Sequence, residues 1–200
     1  MTEAVRFYLD PGCPWAWQTS LWIREVENVR DIEVRWRLFS LALANAGPGE
    51  PATQDRRTEP ALLVLAQARK IDDNAAIARF YDRFGTRVHE NREEESVDTV
   101  RAAAREAGFS EAEVEAALDD PSLSEVVRAD HEEAVGQVGG FGVPTLILGS
   151  GKGMFGPVVA KAPTGDAAGE LWDRVHWLIE QDDFYELKRN RDRRPGGGKR

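Results

Sequence analysis

Apolar positions along the chain change period several times, and the changes mark out its elements. Val5-Arg6-Phe7-Tyr8-Leu9 is rich in β-forming residues and predicts a short strand, broken by Asp10-Pro11-Gly12. From Thr19 to Val29 the apolar residues Leu21, Trp22, Val26 and Val29 recur at helical spacing. Pro14 suits the first turn of that helix, where its missing N–H is no loss. Cys13 is therefore expected at a helix N-terminus, directly after a strand. A second strand is predicted over Ile32 to Phe39, and residues 48–59 form a polar, proline-containing loop. From Pro60 to about Val138 the pattern is helical, with segments near 60–71, 74–90 and 95–107. The capping box Ser110-Glu111-Ala112-Glu113 opens a fourth segment and Asp119-Asp120-Pro121 stops it; a fifth runs from Ser122 to about Val138. Gly139, Gly140 and Gly142 end the helical run. Val143 to Leu148 then reads as a strand with Pro144 near its head, where a missing donor is tolerated. Gly149 to Gly153 is a hairpin-like turn into a short strand at Met154-Phe155, broken by Gly156-Pro157. A last helix spans Asp166 to about Gln181, with Leu171, Trp172, Val175, Leu178 and Ile179 as its apolar positions.

The order is β-α-β, a helical block, then β-β-α, which predicts an α/β fold: one sheet interrupted by an all-helical insertion between its second and third strands. Residues 1–47 and 141–187 are expected to form the sheet domain and 48–140 the helical subdomain. Residues 188–200 stand apart by composition.

Composition adds exclusions. The chain has 200 residues, 42% hydrophobic and 30% charged, enough to bury a core without a metal or disulfide staple. A single cysteine excludes an intramolecular disulfide framework and a multi-cysteine zinc site. His89, His131 and His176 are scattered, so no metal is expected. No run approaches 18 apolar residues, and MTEAVRFYLD lacks the basic-then-apolar pattern of a signal peptide, so a cytoplasmic protein without a membrane span is expected. The net charge of −9 hides an asymmetry: residues 188–200 carry seven Lys or Arg and one Asp, a net +6, which leaves −15 for the first 187 residues. An acidic body repels phosphates, so no nucleic-acid partner is expected. The basic tail, with its Pro-Gly-Gly-Gly, is predicted to be disordered and solvated.

Chemistry centres on Cys13. A lone cysteine is ordinarily a small buried hydrophobe. This one lies at a strand-to-helix turn between Gly12 and Pro14, where unpaired backbone N–H groups and the helix dipole favour thiolate. The expectation is a reactive thiol with a pKa below that of free cysteine.

Asp10-Pro11-Gly12-Cys13-Pro14-Trp15-Ala16-Trp17 resembles the active-site turn of the DsbA-like branch of the thioredoxin superfamily, and Gly142-Val143-Pro144-Thr145 resembles that family's cis-proline loop. The likeness is nearest to the mycothiol-dependent nitroreductase group and includes residues 29–34, 40–45, Phe155-Gly156-Pro157 and 184–189. It implies a thioredoxin-like fold, a catalytic Cys13 in the turn Pro14-Trp15-Ala16, a cis Pro144 that sets the Val143 backbone beside the sulfur, and a low-molecular-weight thiol, mycothiol or similar, as cofactor. It also implies that Trp15, Asn45 and His89 line the cleft and contact that thiol.

One departure matters: Ala16 stands where the family's usual Cys-Pro-Trp-Cys motif has its second cysteine. In a dithiol enzyme that cysteine resolves the mixed disulfide from within. Three readings compete: a monothiol enzyme resolved by a small thiol, an engineered trap for the intermediate, and a chain that keeps only ligand binding. The intact turn around Cys13 favours the first.

Other chemistry-bearing types are read as structural. Trp17, Trp22, Phe80, Tyr81 and Phe84 are expected in the core. Glu93-Glu94-Glu95 and Glu132-Glu133 are read as solvated faces. His131, flanked by Asp130, Glu132 and Glu133, is expected at the surface in its charged form, and His176 is given no role. The expected protein is thus a cytosolic monothiol oxidoreductase acting on a small disulfide or electrophile. The alternatives are a transferase or isomerase of the kappa class, which activates a bound thiol without covalent catalysis, and, further behind, a binding module.

Overall fold

The computed structural model describes residues 2–46 and 58–196. The polar loop expected at 48–59 falls almost wholly outside them, as does the expected boundary at residue 47.

Strands β1 (Glu3–Leu9) and β2 (Ile32–Leu38) pair in parallel, with Val5 opposite Val34 and Phe7 opposite Trp36. Helix α1 (Pro14–Val29) crosses between them. After β2 comes a single helical turn α2 (Leu41–Ala44), capped by the Ser40 side chain, over residues to which the sequence assigns no element. Then come α3 (Glu59–Lys70), α4 (Asn74–Gly85), α5 (Val97–Glu106), α6 (Glu111–Asp119) and α7 (Leu123–Val138). Strands β3 (Thr145–Ile147) and β4 (Gly153–Phe155) and helix α8 (Asp166–Glu180) complete the chain. The sheet order is β2-β1-β3-β4, with β3 antiparallel to both neighbours. This is the thioredoxin-like α/β fold read from the sequence, with helices inserted between β2 and β3.

Local chemistry explains the boundaries. Asp73, Ser96 and Ser110 each accept a first-turn N–H, and Glu113 completes the capping box at Ser110. Gly139 ends α7 in the left-handed region (φ 62°), which a side chain would strain. The helix expected over 74–90 divides: α4 stops at Gly85, and residues Thr86–Glu90 continue as a wide π-helical turn.

Alternation along β2 buries Ile32, Val34, Trp36 and Leu38. They join Val5, Phe7, Leu9, Trp17 and Trp22 with Phe80, Tyr81 and Phe84 of α4 in one apolar cluster spanning sheet and helical block. A smaller cluster on the other side of β1 gathers Tyr8, Cys13, Ala16, Phe39, Ala134, Val143 and Ile147. Asp130 of α7 links the elements: its buried carboxylate accepts the Leu38 N–H at 3.0 Å and pairs with Arg69 of α3.

Two expectations change. His131 is buried, not at the surface: its ring packs on Phe39 with centroids 4.2 Å apart, and burial pushes its pKa down. Flanking acids in the sequence do not decide the matter, because α7 turns this position inward. Tail residues 188–194, expected to be disordered and solvated, are exposed, yet the described part of the tail is not free of the body. Arg191 rests over the Trp15 ring, and the Gly196 N–H donates to the Ala160 carbonyl at 2.8 Å.

Candidate active site

The β1–α1 turn sets Cys13 as the N-cap of α1, and its Sγ accepts the Ala16 N–H at 3.4 Å. Pro14 occupies the first helical position, as its fixed φ favours. Three groups hold the turn. The Cys13 N–H donates to the Asp10 carbonyl at 3.0 Å. The Asp10 carboxylate, buried, accepts the Gly12 N–H at 3.0 Å and the Leu41 N–H at 2.8 Å, which ties the turn to α2. His89, delivered by the π-helical turn, donates from Nε2 to the Pro11 carbonyl at 2.9 Å; burial pushes its pKa down, consistent with a neutral donor.

Across the cleft the Val143–Pro144 peptide bond is cis, as is Gly156–Pro157. The Val143 carbonyl lies 3.8 Å from Cys13 Sγ, within reach of its S–H. The loop is secured by the Thr145 hydroxyl on the Gly142 carbonyl at 2.8 Å and by the Gly156 N–H on the Pro144 carbonyl at 2.8 Å.

The electrostatics correct the sequence reading of Cys13. Its thiol pKa is raised, not lowered: burial is the largest cause and outweighs the N–H groups of Ala16 and Trp15 that favour thiolate. The nearby Asp10 carboxylate opposes ionisation further, and Arg191 favours it. Only 7% of Cys13 is exposed, and Tyr8, Phe39, Ala134 and Ile147 surround it, so desolvation wins over the helix end. At rest the group is a neutral thiol, its S–H toward Val143 and its lone pairs toward Ala16.

The expected site residues divide into three groups. Cys13, Trp15, Ala16, Val143 and Pro144 converge. Trp15 is half-buried and packs against the cluster that contains Cys13, Ala16 and Val143, while Pro14 is exposed. His89 meets the backbone of the turn at Pro11. Asn45 ends α2 through its backbone N–H, its side chain exposed one residue beyond Ala44. Ala16 is fully buried, so the place of a second thiol is filled by a methyl group.

Sequence reading did not single out Asp10 as a ligand of the turn or Arg191 as a neighbour of the site. An aspartate just ahead of a helix start is a signal for side-chain-to-backbone bonding; Arg191 leaves no such signal. Elsewhere, Glu93 pairs with Arg87 at 2.7 Å, Glu133 pairs with Arg6, and His176 approaches Glu3 at 3.1 Å. Among the described residues no group of three His, Cys, Asp or Glu side chains could hold a metal ion, and no helix is long and apolar enough to cross a membrane.

The profile of the family Rv2466c-like, mycothiol-dependent nitroreductase Rv2466c, matches residues 12–189. The chain belongs to this family. An uncharacterized relative, Rv2286c of Mycobacterium tuberculosis, is 37% identical over 188 residues, covering 92% of this chain and 81% of its own length. Solved structures share the fold at lower identity. A probable DsbA oxidoreductase of Streptomyces coelicolor has a TM-score of 0.62 at 18% identity, covering 98% of this chain and 97% of its own. A 2-hydroxychromene-2-carboxylate isomerase has 0.60 at 16%, covering 90% and 97%. DsbA of Proteus mirabilis has 0.54 at 18%, covering 88% of each chain. The resemblance read from the turn and the proline loop holds, and membership of the Rv2466c-like family makes the chain a thiol-dependent oxidoreductase.

Proposed function

We propose that this Rv2466c-like protein is a cytosolic monothiol oxidoreductase in which Cys13 exchanges with the disulfide of a low-molecular-weight thiol, mycothiol or one like it. The observation that carries the reading is the setting of Cys13 Sγ: capped by the Ala16 N–H, facing the Val143 carbonyl, with alanine in the place of a resolving thiol.

The cycle balances with one protein sulfur. The Cys13 thiol loses its proton, and the thiolate attacks a small disulfide. A bond forms between Sγ and one substrate sulfur, the substrate S–S bond breaks, and the other half leaves as a thiol that takes up the proton. A second small thiol then attacks the mixed disulfide, a new small disulfide departs, and Cys13 regains its proton. Within this cycle the Ala16 and Trp15 N–H groups stabilise Sγ whenever it carries charge. Val143 offers a backbone edge to the incoming sulfur's substituent, Trp15 an aromatic face, and Asn45 an amide at the rim. These groups suit a thiol that carries polar sugar-like parts. His89 is a positioning residue, since its Nε2–H is committed to Pro11.

Intact mass after incubation with a panel of small disulfides tests the reading. The expected result is one added thiol on Cys13, removed by excess of that thiol. A protein that takes up none of the panel, even at pH 9, overturns it.

A second reading draws on the burial and raised pKa of Cys13. As a neutral donor, its S–H stabilises the thiolate of a bound small thiol and forms no covalent bond, in the manner of a kappa-class transferase or isomerase. Cys13→Ser separates the two: it abolishes exchange under the first reading and retains thiol-dependent conjugation or isomerisation under the second.

A further inference from the structure

The basic C-terminal segment reaches the candidate site. Arg191 Cζ stands 4.9 Å from the centre of the Trp15 indole, a cation–π distance. Five residues on, Gly196 is fastened to Ala160 by its N–H. Trp15 lies two residues beyond Cys13, and its N–H is one of the two that favour charge on the sulfur. A guanidinium fixed over this indole therefore lies close enough to favour charge on Sγ. The charged and titratable groups that face Cys13 come from several elements. Asp10 in the β1–α1 turn opposes a thiolate, Tyr81 of α4 is held uncharged by burial first and by the charge a thiolate would bring second, and Arg191 in the tail is cationic.

We propose that Arg191 is a positioning residue for the chemistry of Cys13: held on Trp15, its guanidinium supplies the counter-charge under which the buried thiol becomes a thiolate. The tail segment is then a wall of the active site. The consequence for catalysis rests on the exchange reading above; the charge relation between Arg191 and Cys13 does not.

The test compares the full-length protein with Arg191→Ala, Arg191→Lys and Arg191→Glu. Alkylation by iodoacetamide, a neutral reagent, is followed by intact mass between pH 6 and 10. Arg191→Ala is expected to move the rate–pH midpoint upward and to slow alkylation about threefold at pH 7. Arg191→Glu moves it further the same way, and Arg191→Lys keeps the parent profile. If Arg191→Ala alkylates as fast as the parent or faster across the range, Arg191 is only a cover over the thiol and the proposal is overturned. An Arg191→Lys profile matching that of Arg191→Ala also overturns it, because the charge is then not the cause. Failure of the parent protein to take up any small disulfide sinks the exchange reading alone and leaves this comparison intact.

Discussion

Two opposing effects meet on Cys13, and their balance is a matter of magnitude. A helix end and its N–H groups favour an anion by fractions of a kcal/mol to about 2 kcal/mol. Withdrawal of a charge from water costs several when burial is nearly complete. The sequence shows the first effect because it is local: Gly-Cys-Pro ahead of an amphipathic stretch is a helix start. It hides the second, because Phe39, Ala134 and Ile147 come from three distant elements. The same limit applies to His131, whose acidic neighbours in sequence point to a charged imidazolium while its ring lies on Phe39 with Nδ1 buried and without a partner. Its depressed pKa yields a signed prediction. Above pH 6.5 the ring is neutral in both folded and unfolded chains, and its contribution to stability is complete. As pH falls below 6.5 the unfolded chain takes up the proton first, so stability drops, by at most about 1.4 kcal/mol per pH unit. Urea midpoints between pH 7 and 5 should fall more in the parent than in His131→Phe. Parallel curves for the two would place the pH dependence elsewhere.

Elements were more legible than sites. Strand β1, helix α1, the capping box of α6 and the strand pair β3–β4 all stand where periodicity and turn residues put them, since each is specified within a dozen residues. The π-helical turn at Thr86–Glu90 was not legible: it extends a helical pattern without a break in composition, and its use, aiming His89 at Pro11, exists only in three dimensions. Helix α1 itself supports a prediction. Position 16 stands one helical turn after Cys13, with its N–H on Sγ and its methyl buried beside it. Side chains three apart on a helix share a face, so Ala16→Cys brings two sulfurs within bonding distance. Mild oxidation should remove two hydrogens from the mass of this variant, block alkylation at both thiols, and be reversed by dithiothreitol. Persistent double alkylation after oxidation would show that the first turn of α1 is not arranged as described.

At the scale of the whole molecule, the helical insertion and the sheet domain are joined by a shared core and not merely tethered. Trp17 of α1 packs edge-on against Tyr81 at 5.5 Å and lies near His89 at 6.1 Å, so one indole contacts both the α4 core and the residue that holds the active-site turn. Gly85 makes this approach feasible: a Cβ there would sit 2.2 Å from Trp17 Cε3, far inside any real contact. Trp17 is almost fully buried in a cluster that includes Phe84 and Tyr81, and Gly85 is buried beside it, so neither has room to yield. Gly85→Ala must then displace α4 from α1 and should destabilise the protein by about 2 kcal/mol. The displacement also carries the π-helical turn and loosens the His89–Pro11 bond, so Cys13 should alkylate faster in Gly85→Ala at every pH. Because the core is continuous, loss of helix signal and exposure of Cys13 should follow one urea curve in the parent, and in the variant one curve shifted to lower urea. Two separated transitions, with Cys13 exposed while the helical signal persists, would mean that the two parts fold independently and that Trp17 does not couple them.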